Sequence, residues 1–77
     1  MTAEIIEPGS VLGVLGGGQL GAMFAVAARR MGYRVAVWDP DPDAPALQLA
    51  DYSFTASFMD IETRDRFAQT VRAVTFE

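Results

Sequence analysis

Between Gly16 and Gly21 this chain carries four glycines and only two other residues, Gln19 and Leu20. Glycine loses more backbone freedom on folding than any other residue, so a cluster of this kind is ordered only where the chain must turn tightly or something must approach its backbone closely. The flanks say which elements the turn joins. Before it, Ser10–Leu15 is almost continuously apolar through Val11, Leu12, Val14 and Leu15. That pattern suits a strand covered on both faces, as in a parallel sheet. After it, from Gln19 to Met31, the apolar residues Leu20, Met23, Phe24, Ala27 and Met31 recur at helical spacing. The expected helix packs this stripe into the core. It ends on Arg29 and Arg30, favourable to its dipole, with Gly32 as a left-handed stop.

A strand, a glycine turn and a helix in succession commit the chain to an α/β plan, and the remaining segments continue it. Tyr33–Trp38 reads as a second strand. "DPDPDAP" from Asp39 to Pro45 excludes any regular element, because prolines interrupt it repeatedly. Ala46–Ala50 is expected to make one helical turn and Tyr52–Ala56 a third strand. Asp60 is placed to cap a helix through about Thr70, with Ile61, Phe67, Ala68 and Val71 facing inward. Arg72–Phe76 completes a fourth strand. Alternation of this kind implies a Rossmann-like, doubly wound parallel sheet of order 3-2-1-4 in a three-layer sandwich. Strands one and four then lie side by side, and ligands bind beyond their carboxyl ends. The glycine loop and the chain end at Glu77 meet there.

Charge and composition narrow the guest. Ten acidic residues against six arginines and no lysine give a net charge of −4, with no basic patch for nucleic acid. Neither Cys nor His is present, so no disulfide or zinc cluster can reinforce the fold. The opening "MTAEIIEPGS" lacks the basic and apolar regions of a signal peptide, and no apolar run approaches a membrane span. A soluble, cytoplasmic protein is expected. At 77 residues the chain is at most one small domain. Its last residues, Val74–Glu77, read as a strand end, so it is expected to be the first lobe of something larger.

Gly16, Gly18 and Gly21 satisfy G-x-G-x-x-G between strand and helix. Such a turn brings unpaired helix N–H groups and the positive end of the helix dipole to an anion, above all a phosphate. Asp39 ends the second strand eighteen positions after Gly21, where a dinucleotide-binding domain carries its ribose-binding acid. Two readings of Asp39 stay open here: a ribose ligand for NAD(P), in an oxidoreductase or a regulatory binding module, or a cap holding the proline-rich turn. Gln19 and the crowding by Pro40–Pro45 weigh against the dinucleotide. "DPDPD" is no calcium loop, because the glycine and glutamate of an EF-hand are missing from their positions. A carboxylate at Glu77 beside a phosphate loop would face an amine or hydroxyl of the same ligand.

Taken together, "VLGGGQLGAMFAVAARRMGYRVAVWDPDPDAPALQLAD" and "AVTFE" resemble the amino-terminal region of the N5-carboxyaminoimidazole ribonucleotide synthetase family, ATP-grasp enzymes of purine biosynthesis. The resemblance runs from about Val11 to Glu77 and leaves residues 1–10 as a leader. Ala22 departs from it, since many relatives carry Arg there. It implies a Rossmann-like, pre-ATP-grasp domain over residues 11–77. It also implies an ATP-dependent ligase that activates bicarbonate as carboxyphosphate and carboxylates the amine of 5-aminoimidazole ribonucleotide. ATP and Mg2+ would be bound by other domains, and the full-length protein would be a homodimer. By the same resemblance, Gly17, Gly18, Gln19 and Leu20 lie against the ribonucleotide through backbone N–H groups and the Gln19 amide. Glu77 orients its amine or a ribose hydroxyl; whether Glu77 also takes a proton stays open. Asp39 becomes structural. The 77 residues alone are expected to be inactive.

Overall fold

A computed structural model describes residues 7–76. The elements in chain order are β1 (Val11–Leu15), α1 (Gln19–Arg30), β2 (Arg34–Trp38), a 3-10 turn (Pro45–Leu49), β3 (Tyr52–Phe54), α2 (Ile61–Thr70) and β4 (Ala73–Phe76). All strand pairs are parallel, in the order β3-β2-β1-β4. The expected doubly wound topology is therefore the observed one. β3 stops at Phe54 rather than Ala56, because Ala56 has turned away and its carbonyl accepts from Trp38 Nε1 at 2.7 Å.

Alternation along β2 divides the core into two layers. Val35 and Val37 point with Val14 toward Ala25 and Ala28 of α1 and toward Ala46 and Leu47 of the 3-10 turn. Ala36 and Trp38 point the other way, toward Phe67 of α2. Period-two side-chain geometry makes this split unavoidable once both faces are covered. On the α2 side the ring of Phe67 meets Trp38 and Phe54 with centroids 5.4 and 5.3 Å away. A Cβ on Gly13 would lie 2.8 Å from both Phe67 and Val71, so glycine at the centre of β1 is what lets α2 sit this close.

α1 presents a different face to the core from the one expected, and α2 keeps only part of its expected face. On α1 the buried residues are Gly21, Ala25 and Ala28. Leu20 and Met23 are each 67% exposed, Ala27 is exposed, and only Phe24 of the anticipated stripe is half-buried. Met31 lies just past the helix and is exposed as well. The helix is wedged against both the sheet and the 3-10 turn, and only small residues fit at that distance. The long apolar side chains flank the contact instead of making it. On α2, Phe67 is buried and Val71 half-buried as anticipated, but Ile61 and Ala68 are exposed. Thr63 takes the second buried position, drawn in by its bonds to Asp60.

Beyond the helices, Gly32 adopts φ +92° and ends α1 as a left-handed residue. Arg29 in the last turn of α1 donates to the Leu49 carbonyl at 3.0 Å and lies 3.5 Å from Asp51. The carboxylate of Asp51 in turn accepts from the Val35 N–H at 2.8 Å. No helix among the described residues is long and apolar enough to cross a membrane.

Candidate functional site: the glycine loop at the strand ends

β1 pairs with β2 so that Leu15 opposes Trp38, and with β4 so that Leu15 opposes Phe76. The residues immediately after Leu15 therefore emerge between the ends of two neighbouring strands, at the switch point of the sheet. Gly16 leaves β1 with φ +96° and donates its N–H to the Trp38 carbonyl at 2.8 Å. Gly17 is buried, and Gly18 in extended backbone forms the N-cap of α1.

The start of α1 is open in a specific sense. Gly18 offers no side-chain cap, and the first turn carries no acidic residue. The leading N–H groups of a helix have no intrahelical acceptor, and the dipole places partial positive charge among them. Gln19 and Leu20 are both exposed at this end. Beside it a groove of about 200 Å³ is lined by Val14, Leu20, Gly21, Phe24, Thr75 and Phe76. One rim is helix N-terminus, the floor is β1, and the far wall is the end of β4. Such a groove can hold a negatively charged group against backbone amides with an apolar surface next to it.

The opposite side of the loop is closed. Asp39 follows β2 and accepts the Gly17 N–H on Oδ2 at 2.7 Å and the Asp41 N–H on Oδ1 at 2.8 Å. Both oxygens of the acid that a dinucleotide reading needs for the ribose are thus engaged by backbone. Asp41 repeats the pattern, accepting from the Asp43 N–H at 2.9 Å. The acidic run is a succession of side-chain-closed turns. Among the described residues no three His, Cys, Asp or Glu side chains are grouped to hold a metal ion. The described residues therefore present no grouped donors that fit a magnesium ion, and the sequence holds no lysine.

Residues 10–77 match the family described as the Ribonucleotide synthetase preATP-grasp domain. The chain belongs to this family. It is 48% identical over its whole length to an N5-carboxyaminoimidazole ribonucleotide synthase of Bacillus subtilis (strain 168), covering 20% of that protein. A bifunctional purine synthesis protein of Dictyostelium discoideum is 38% identical over 99% of this chain, which covers 8% of it. In three dimensions the chain superposes on the N5-carboxyaminoimidazole synthetase of Staphylococcus aureus with a TM-score of 0.94 at 35% identity, covering all of this chain and 21% of that one. An ADP complex of an N5-carboxyaminoimidazole ribonucleotide synthetase gives 0.93 at 43% identity, covering 99% and 20%. The chain thus spans about a fifth of the length of most of these relatives, and the match is to their amino-terminal part.

For this preATP-grasp chain the sequence-based site divides in two. Gly18, Gln19 and Leu20 lie at the open end of α1, and Leu20 lines the groove. The Gly17 N–H is held within the chain by Asp39 Oδ2, unlike the amides that follow it at the start of α1. Glu77 lies outside the described residues, although Thr75 and Phe76 before it form the groove wall. Thr75 and Phe76 themselves were read only as strand. The signal that would have found them is topological: in a 3-2-1-4 sheet the residues ending β4 must face the turn after β1.

Proposed function

We propose that this chain is the amino-terminal domain of an N5-carboxyaminoimidazole ribonucleotide synthetase, and that its glycine loop binds the sugar-phosphate of 5-aminoimidazole ribonucleotide. The full-length protein would carboxylate the exocyclic amine of that ribonucleotide with bicarbonate at the expense of ATP. The observation that carries the reading is the uncapped, acid-free start of α1 opening on a groove at the switch point. Kinship with synthetases along the entire chain supports it.

In this arrangement the phosphate meets the amides at Gly18, Gln19 and Leu20, where a helix N-terminus stabilises an anion. The Gln19 side chain supplies a donor and an acceptor to the polar part of the ligand. Leu20, Phe24 and Phe76 offer apolar contact to ring or ribose carbons. Glu77, one residue beyond Phe76, is assigned the amine or a ribose hydroxyl. Ligand pockets ordinarily span about 300–1,000 Å³, so a groove of about 200 Å³ is one wall of a site. ATP and Mg2+ belong to other parts of the protein, which would act as a homodimer in the cytoplasm.

Calorimetry on the full-length protein tests the assignment, with 5-aminoimidazole ribonucleotide and NAD titrated separately. Uptake of the ribonucleotide and none of NAD is expected. Binding of NAD alone would overturn the proposal.

A further inference from the structure

The "DPDPDAPA" segment, from Asp39 to Ala46, packs on the glycine loop at Gly17. The Gly17 N–H is held by Asp39 Oδ2 at 2.7 Å, and the Gly17 carbonyl accepts from the Ala46 N–H at 2.8 Å. The preceding peptide is fixed as well, through the Gly16 N–H on the Trp38 carbonyl. Space is equally restricted. A Cβ on Gly17 would stand 3.0 Å from the Ala44 Cβ and 3.3 Å from both the Asp39 Cβ and Val37 Cγ1. The residues that follow Gly17 directly are Gly18, Gln19 and Leu20, so fixing both of its polar backbone groups fixes the direction in which those amides point.

From this geometry we infer that Asp39 is a positioning residue for the ribonucleotide loop, acting through Gly17. A carboxylate suits the task because it accepts two N–H groups at once, Gly17 on one oxygen and Asp41 on the other. The bond to Gly17 is short and charge-assisted, the stronger kind. A flexible glycine turn would have to be ordered when ligand binds, and that ordering reduces affinity. Clamped beforehand, the loop meets the phosphate already shaped. The two sequence blocks that mark this family resemblance are then halves of one device, the second buttressing the first.

The inference rests on the ribonucleotide reading of the site, and the experiment separates the two. In the full-length protein, Asp39→Ala is expected to raise the KM for 5-aminoimidazole ribonucleotide about tenfold, the order set by one charged hydrogen bond. The KM for ATP and kcat at saturating ribonucleotide should stay within about twofold. Asp39→Asn keeps one good acceptor for two donors and should fall between, near threefold. In the unaltered protein the Gly17 amide should exchange slowly with solvent, and more rapidly in Asp39→Asn. An unchanged ribonucleotide KM in a variant whose melting temperature has dropped would make Asp39 merely structural and end the inference. So would rapid Gly17 exchange in the unaltered protein, a readout that stands even if Asp39→Ala does not fold. Should the unaltered protein fail to take up the ribonucleotide at all, it is the functional reading that falls, whatever the exchange data show.

Discussion

The two helices of this domain begin in opposite ways. α2 starts at Asp60, whose carboxylate accepts the Thr63 N–H at 3.0 Å and the Thr63 hydroxyl as well, and Glu62 adds a further negative charge in the first turn. Its Thr63 N–H is thus answered within the chain. α1 starts at a glycine with no side chain to offer and no acid within the first turn. By ordinary helix energetics this is the inferior beginning, since an Asp or Ser cap is better than glycine by a few tenths of a kcal/mol. The lesser cap stands beside the groove that Leu20 and Phe76 line; α2 begins at a second hollow, of about 500 Å³, that Arg64 lines with Gly16 and Phe76. The end that serves the fold is closed by the sequence, and the end left open is the one proposed to meet an anion.

Exchanging the two beginnings should produce the largest effect. Gly18 has φ −74° and ψ −158°, extended backbone that an L-residue adopts without strain. Gly18→Asp would give α1 the cap that α2 has. The melting temperature should hold or rise slightly. Ribonucleotide kcat/KM should fall about a hundredfold, since the new carboxylate both occupies the amides and repels phosphate. Steady-state kinetics beside a thermal melt measures both. A variant that keeps its full ribonucleotide efficiency would place the phosphate elsewhere.

A smaller change tests the loop's one polar side chain. Gln19 is exposed at the first position of α1, so Gln19→Ala removes no packing and introduces a better helix former. The ribonucleotide KM is expected to rise about tenfold, as for loss of a hydrogen bond to a bound polar group. The KM for ATP should not move. Equal shifts in both constants would mean that Gln19 acts on the whole protein rather than on this wall.

How much of this was legible in advance follows from the kind of signal each feature leaves. Strand and helix order could be read in the first half because Gly16–Gly18, Gly32 and Pro40–Pro45 punctuate the chain there, and in the second because Asp60 marks the start of α2. Sheet order followed from handedness rules. The packed face of α1 could not be read. Its long apolar residues Leu20, Met23 and Met31 have helical spacing, but the contact with sheet and turn admits only Gly21, Ala25 and Ala28. Periodicity reports where apolar residues recur, not how near the neighbouring layer stands. The same limit hid the role of Gly13, which is set by an aromatic ring from a helix far along the chain. In the loop, motif spacing gave the turn between β1 and the uncapped start of α1. It could not say which amide was already taken, because the taker, Asp39, comes from the end of another strand.

The smallest effect concerns the closed helix. The bonds from the Thr63 hydroxyl and amide, with Arg66 nearby, hold the Asp60 carboxyl below the ordinary aspartate range. A group with a lowered folded pKa stabilises the fold fully above its unfolded value, about 3.9 for aspartate. That contribution is lost as pH falls through the folded value. Asp60→Asn keeps an acceptor for the Thr63 N–H and removes the titration. At neutral pH it should melt slightly below the unaltered domain, and the gap should close as pH falls below the ordinary aspartate range and through the lowered folded value. Melting curves across that range give the test. A gap of constant size at every pH would show that the Asp60 charge contributes nothing to holding α2, and the contrast between the two helix ends would then rest on α1 alone.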